Sequence, residues 1–360
     1  MKFGAMIAPK IDDWQLLQYA ENLGYDHGWV PDSQMIWSDC YAVLALAAQH
    51  TSKIRLGTGV AIAGTRLAPV TAHSIATINR IAPGRVFLGI GTGHTAMRVM
   101  GMDPVKPRDF REYLRVVRAL LHGEEVAYSH KGETRNIRFL HQELGFIDTA
   151  HTIPIYVAAN GPLALRAAGA YGDGRVSAGP EQGAGLGNSM ELIREGAAKA
   201  GRDLPADYHT AALTYSCVLE PGEKLSSDRV IDECGSMVAS ALHYWWEIYK
   251  KIGNDRFIRP AVRPVWENYL DYVDSMQTPP DARYQAVHDG HCTYLMPEER
   301  RFMTSEVIAA SNGLVGEPDA IIEQLRTLEK GGLKEVALLP PMASARKCFQ
   351  DFAKHVMERY

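Results

Sequence analysis

The chain lacks a long hydrophobic run, a surplus of either charge and any closely paired cysteines, and each absence narrows what it can be. Its longest apolar stretch, residues 41–48, is far short of the roughly 20 residues that a membrane-crossing helix needs, so no membrane partner is expected. Lys and Arg number 38 against 42 Asp and Glu, a net charge of −4. That leaves no basic field to hold a phosphate backbone, and no nucleic acid is expected as a partner. The five cysteines, at 40, 217, 234, 292 and 348, contain no CxxC pair, which excludes a disulfide framework and a zinc ribbon and points to a reducing compartment. A single Lys and a short apolar run precede Pro9, too little for a secretory signal, so a soluble cytoplasmic protein is the expectation. What is present is an ordinary globular composition, 46% hydrophobic and 22% charged, in a chain long enough to bury a core without staples.

Short apolar runs alternate with longer segments of helical period, the signature of βαβ units. Strands are expected over 2–8, 27–31, 54–62, 85–91, 155–159, 175–178, 211–219 and 335–339. Between them Leu16, Leu17, Ala20 and Leu23 repeat at helical spacing before Gly24, and residues 40–50 form a second helix. Pro69, Pro107 and Pro162 each open a further helix, their fixed φ suiting a first turn. Helices are also expected over 189–200, from Ile321 to a stop at Gly331 and Gly332, and over 344–357. Eight strand–helix pairs fit an α/β fold of the (β/α)8 TIM-barrel type in a single domain over 1–360, with a doubly wound open sheet as the competitor. Two stretches break the rhythm. Residues 126–140 read as a hairpin insertion. Residues 222–316, rich in aromatics such as Trp245, Trp246, Trp266 and Tyr269, read as a helical insertion before the last strand, serving as a lid or as a dimer surface.

Glycines at strand ends carry the main chemical signal. GIGTGHTA at 89–96 has the spacing of a dinucleotide fingerprint, but a Pro-opened helix stands where that motif needs an acidic strand end. The fingerprint is rejected. What survives is main chain around Gly91 that a flat group can approach closely, or a tight turn. AANGP at 158–162 ends a strand and opens a helix, so free amides backed by the helix dipole offer an anion site. The four glycines of 179–188 suggest a loop that orders over a ligand, or a linker. Gly57 and Gly59 interrupt a strand and mark a bulge or a close ligand approach. His288, His291 and Cys292 lack a third ligand at zinc spacing, so no metal site is expected. Ser74 lacks the glycines of a nucleophile elbow, and Met97, Met100 and Met102 read as packing.

With VPDS at 30–33, IRLGTGV at 54–60, Thr65–Arg66, GRVFLGIGTG at 84–93, IYVAANGP at 155–162, GDG at 172–174, VGEP at 315–318 and EVALLP at 335–340, the chain resembles the bacterial luciferase-like flavin oxidoreductases. The resemblance implies a (β/α)8 barrel that holds reduced FMN, or the 5-deazaflavin coenzyme F420, against a bulge in the third strand. Gly59 and Val60 match that bulge, which in the deazaflavin members contains a non-prolyl cis peptide, a bond that costs roughly 3–4 kcal/mol. Ala158, Ala159, Asn160 and Gly161 match the segment that meets the cofactor tail, and Asp32 matches a polar position near the ring edge. Gly91, Thr92, His94, Ser177 and Gly179 complete the expected cofactor contacts. His94 stands where sugar-oxidising deazaflavin members carry a glutamate, so their substrate does not transfer. It would act as general acid or base beside the flavin, or contact phosphate or solvent from a loop. Arg66 would pair with an anionic oxygen, or is a surface arginine. His94, Asp32 and Arg66 are the catalytic candidates.

The leading functional expectation is a two-component monooxygenase. Reduced FMN from a partner flavin reductase reacts with O2 to oxidise a mainly apolar small organic molecule, in a homodimer or higher homo-oligomer. The alternative keeps the fold and drops oxygen: hydride transfer between the deazaflavin and a carbonyl, alcohol or imine. A non-catalytic flavin-binding protein is the third reading.

Overall fold

The computed structural model describes residues 1–181 and 183–360. Residues 1–213 with 328–337 form one compact unit, and residues 214–327 with 338–360 a second. The first is built on a closed ring of eight strands: β1 (Lys2–Met6), β2 (His27–Val30), β3 (Arg55–Ile62), β4 (Val86–Gly91), β5 (Ile155–Ala158), β6 (Gly174–Ser177), β7 (His209–Thr214) and β8 (Glu335–Leu338). Their order around the ring is β1-β8-β7-β6-β5-β4-β3-β2. Parallel registers such as Ala5 opposite Gly28 and Val157 opposite Arg175 tie neighbours together. The helices α1 (Gln15–Asn22), α2 (Cys40–His50), α3 (Ala68–Ile81), α4 (Pro107–Leu121), α5 (Pro162–Tyr171) and α6 (Gly185–Lys199) follow successive strands. This is the TIM barrel, and its closure eliminates the open sheet.

Local chemistry sets the element ends. Asp39 caps α2, its Oδ1 accepting the amides of Tyr41 and Ala42 at 2.9 and 3.0 Å, a contact worth about 1 kcal/mol. In α4, Phe110, Leu114, Val117 and Leu121 recur three or four residues apart and are buried, and Gly123 leaves the helix at φ +74°, a conformation with a steric cost for any residue bearing a Cβ. Residues Val126–His130 pair antiparallel with Glu133–Ile137. Lys131 and Gly132 turn between them at φ 51° and 86°, the sign pattern whose twist matches a two-residue hairpin.

The barrel interior is filled by pairing large residues with glycines. Trp29 and Phe87 meet at 4.4 Å between ring centroids, Phe87 and Tyr156 at 5.2 Å. A Cβ on Gly57 would lie 2.4 Å from the Phe87 ring, one on Gly4 2.8 Å from Trp29 Nε1, and one on Gly174 2.7 Å from Tyr156. Gly57 is thus room for Phe87, whereas its position in a strand suggests a bulge or a close ligand approach. At the base of the barrel, the first residues of β2, β7 and β8 meet. Glu335 Oε2 lies 2.5 Å from His27 Nδ1 and 2.7 Å from His209 Nε2, while Oε1 accepts from Trp29 Nε1 at 2.7 Å. Burial alone would raise this carboxyl, but the two histidines more than offset it and hold it well below its ordinary value.

Two segments depart from expectation. The segment 211–219, expected as a single strand, is two. β7 ends at Thr214, and Ser216–Val218 instead pairs in parallel with Leu314–Gly316 in a separate ribbon. The segment carries no glycine or proline, so its break is invisible in the sequence. The glycine-rich 179–188 stretch is helical from Gly185 onward. Glu181 anchors its start by accepting from Arg175 and from Ser189 Oγ at 2.9 Å; Gln182 lies outside the described residues.

The second unit centres on α7 (Asp228–Ile252) and α8 (Arg263–Ser275). In α7, Val230, Cys234, Val238, Leu242 and Trp246 fall every fourth residue and are all buried, the stripe that a helix packed on one face requires. Trp266, Tyr269 and Phe302 bury themselves in the same cluster, so these aromatics form this unit's own core. Among the described residues no helix is long and apolar enough to cross a membrane.

Candidate active site

The carboxyl ends of β2 to β6 bring many of the sequence-derived site residues to one rim of the barrel, where TIM-barrel chemistry is found. Strand β3 is irregular there. Its register against β4 shifts between Thr58 and Ala61, and the Gly59–Val60 peptide is cis. The bulge is pinned by Thr58 Oγ1, which donates to Gly89 O at 2.6 Å, and by Ala63 N, which donates to Gly91 O at 3.1 Å. A Cβ placed on Gly91 would sit 3.1 Å from both Val60 Cγ2 and Ala158 Cβ. Val60, Gly91 and Ala158 therefore converge, and the glycine keeps main chain bare between two small side chains. Gly59 faces elsewhere, packed under Trp29 and Met6.

Asp32 follows β2 and is buried, 3% exposed. Arg66 Nη1 donates to its Oδ2 at 2.5 Å, Gln34 Nε2 to its Oδ1 at 2.6 Å, and Ile62 N to Oδ2 at 3.3 Å. Arg66 is no surface arginine. Its second amino group bridges Asp39 at 2.7 Å, its plane lies 4.8 Å over the Tyr41 ring, and Tyr113 Oη donates to its carbonyl at 3.0 Å. Burial would lower the guanidinium, but the bond to Asp32 outweighs it and keeps the charge. The pair therefore acts as a clasp between the ends of β2 and β3, and an anionic ligand would have to compete with two carboxylates for Arg66.

His94 is exposed and precedes the short helix Thr95–Val99. Beside it Met97 and Ala96 pack with Ile62, and Val60 and Met100 lie against them, an apolar wall next to the bare main chain. Met102 stays exposed. Thr92 is half-buried, its carbonyl accepting from Val105 N at 3.1 Å.

Past β5, Ala159 is buried while Asn160 and Gly161 are exposed. Gly161 is the N-cap of α5, with no side-chain cap and no acidic residue in the first turn. The first-turn amides are thus left for an outside anion, helped by the helix dipole. A Cβ on Gly161 or on Gly179, which stands at φ +129°, would meet nothing within 4 Å. Ser177 is buried, its hydroxyl committed to Gly179 O at 2.7 Å. The residue that the sequence reading missed is Arg175. Fully buried, it donates to Ala159 O at 2.8 Å and to Asn160 Oδ1 at 3.3 Å, and pairs with Glu181 at 2.5 Å. A charged residue inside an otherwise apolar strand was the available signal, because such a charge needs a partner close by.

Bare main chain over Val60, Gly91 and Ala158, an open helix start at Gly161 and an apolar wall suit a flat ring with an anionic tail. A sequence profile of the luciferase-like monooxygenase family matches residues 12–335. The chain belongs to this family. Over all of its length it is 28% identical to 5,10-methylenetetrahydromethanopterin reductase of Archaeoglobus fulgidus, 99% of which is matched. Over 58% of the chain it is 32% identical to the F420-dependent glucose-6-phosphate dehydrogenase of Kineococcus radiotolerans, and the match spans 65% of that relative's length. Among solved structures, the coenzyme F420-dependent tetrahydromethanopterin reductase of Methanopyrus kandleri superposes with a TM-score of 0.69 at 22% identity, covering 100% of this chain and 99% of that one. Members of the family are oxidoreductases, and this chain is one.

Proposed function

We propose that the protein is a deazaflavin-dependent oxidoreductase that moves a hydride to or from a carbonyl, alcohol or imine carbon of a small organic molecule. The observation that carries this reading is the full-length similarity to a methylenetetrahydromethanopterin reductase, joined by the F420-dependent dehydrogenase. It favours the oxygen-free alternative over the FMN monooxygenase that led the sequence expectations. The site's residues fit such a group. Val60, Gly91 and Ala158 would receive the ring on main chain, and the α5 amides at Gly161 would receive an anionic part of the tail.

A bound reduced deazaflavin supplies hydride. When a carbonyl carbon takes the hydride, its oxygen needs a proton. His94, at the rim, would hold that proton on an imidazole nitrogen, and in alcohol oxidation would remove it. Asp32 and Arg66 would act by keeping the β2 and β3 ends together. O2 and a separate flavin reductase belong to the FMN reading and are not required here.

Titrating the apoprotein with oxidised F420, oxidised FMN and reduced FMN separates the readings. Deazaflavin should bind at least tenfold more tightly than either flavin, and its reduction or oxidation should follow addition of an alcohol or carbonyl panel. Tighter binding of reduced FMN together with substrate-dependent O2 consumption would overturn the proposal.

A further inference from the structure

Two groups of histidines take no part in the candidate site described above, one at the barrel base and one within the second unit. At the barrel base His27 and His209 both spend an N–H on Glu335, and Trp29 completes that carboxylate. The other group lies wholly within the second unit. His243 on α7 joins His288 and His291, which follow the short helix Arg283–Val287, and each offers a ring nitrogen within 4.8 Å of the others. The ring centroids are 5.7 Å apart for His243 and His288, 5.4 Å for His288 and His291, and 6.5 Å for His243 and His291.

Two of these rings are each held by a carboxylate, one buried and one half-buried. His243 Nε2 lies 2.7 Å from Glu299 Oε1, and His288 Nε2 lies 2.7 Å from Glu247 Oε1. An ionised carboxylate only accepts, so in the neutral imidazoles each Nε2 carries the proton and each Nδ1 presents a lone pair. Both Nδ1 atoms are buried and make no hydrogen bond among the described residues. A carboxylate that orients an imidazole while the opposite nitrogen faces its neighbours is how proteins prepare histidine for a metal.

We propose that His243, His288 and His291 bind one divalent cation of the zinc class, with a solvent oxygen as fourth ligand. Three imidazole nitrogens select such an ion over magnesium or calcium, which take oxygen. The two carboxylates behind the rings offset its charge. His243 and His288 are buried and His291 is half-buried. The sequence shows only an HxxHC cluster, because the third donor comes from a helix that ends far upstream in the chain. The ion would pin α7 to the 288–302 segment, a role independent of the deazaflavin reading.

The test uses the full chain stripped by a chelator, then titrated with Co2+ and Zn2+. One equivalent of Co2+ should bind with the strong visible absorption of a tetrahedral site and be displaced by Zn2+. His291→Ala should abolish that absorption and weaken Zn2+ binding by about 100-fold or more, and Glu299→Gln should weaken it by roughly 10–100-fold with the absorption kept. His73→Ala, at an exposed position on α3, should change nothing. Circular dichroism of each variant confirms that it is folded, and the wild-type titration stands even if a variant is not. Absence of tight Co2+ binding by the wild type, or equal binding by folded His291→Ala, would overturn the proposal.

Discussion

The most exposed consequence of the barrel architecture is the behaviour of Glu335. Three donors converge on it: His27 Nδ1, His209 Nε2 and Trp29 Nε1. A carboxylate has acceptor capacity on both oxygens, whereas the amide of Glu335→Gln has one acceptor oxygen and an NH2 that must face a donor. The substitution keeps size and removes the charge that the histidines meet. Removing one partner of a buried, hydrogen-bonded pair costs about 3–5 kcal/mol, which for a unit of this size lowers the melting temperature by roughly 6–20 °C. The pH dependence has a definite sign. Glu335 is held below its ordinary value of 4.5 by the histidines, so its contribution is complete above that value and is lost as pH falls through its lower folded value. Urea unfolding followed by far-UV circular dichroism should therefore show a deficit for Glu335→Gln that is present above about pH 4.5 and narrows below it. A deficit under about 1 kcal/mol at pH 7, or one that fails to narrow well below pH 4.5, would refute the assignment of Glu335 as the ionised centre of the base.

Arg66→Ala leaves the Asp32 carboxylate, 2% exposed, without its cation and should cost about 3–5 kcal/mol in chemical denaturation; Arg66→Lys should recover little, since one ammonium cannot reach Asp32 and Asp39 in the same planar fork. Gly91→Ala places a methyl 3.1 Å from Val60 and Ala158 and should weaken deazaflavin binding by about tenfold or more, or ~1.4 kcal/mol, measured by fluorescence titration, whereas Gly161→Ala, with open space and φ −92°, should change stability by no more than about 0.5 kcal/mol. His94→Ala should lower kcat by roughly 10²–10⁴ with cofactor affinity unchanged, and should remove one limb of the pH–rate profile; an unaltered kcat would take His94 out of the chemistry.

The barrel was legible because its determinants are local. Alternating runs, proline at helix starts and glycine at helix stops each act within a few residues, so seven of the eight barrel strands and the chain's longer helices up to residue 171 can be located to within a few positions. The exceptions are informative. The division of 209–219 into two strands depends on partners at 314–316 and not on any turn residue, and no local signal marks it. Gly185 and Gly187 are poor helix formers, yet they open α6, where Glu181 is tied both to Ser189 and to Arg175. Gly57 leaves both a bulge and a ligand approach open because a glycine that clears space for a ring looks, in one dimension, like one that clears space for a ligand.

The candidate site was legible to the extent that it is made of main chain. A bare peptide needs glycine or alanine at a fixed place after a strand, and that requirement is written at Gly91 and at 158–161. Side-chain roles were not, because charge partners are set by which strand ends the barrel brings together. Arg66 and Asp32 stand 34 positions apart and no spacing rule joins them, so the sequence could offer Arg66 only as a free cation. The structure makes it the clasp of a bulge. For a main-chain site this distinction has a functional consequence: side chains at its edges secure the shape of the backbone first and meet the ligand second. Substitutions at Arg66 and Asp32 should therefore move cofactor affinity together with stability, while a substitution at His94, exposed and outside that clasp, should move turnover alone.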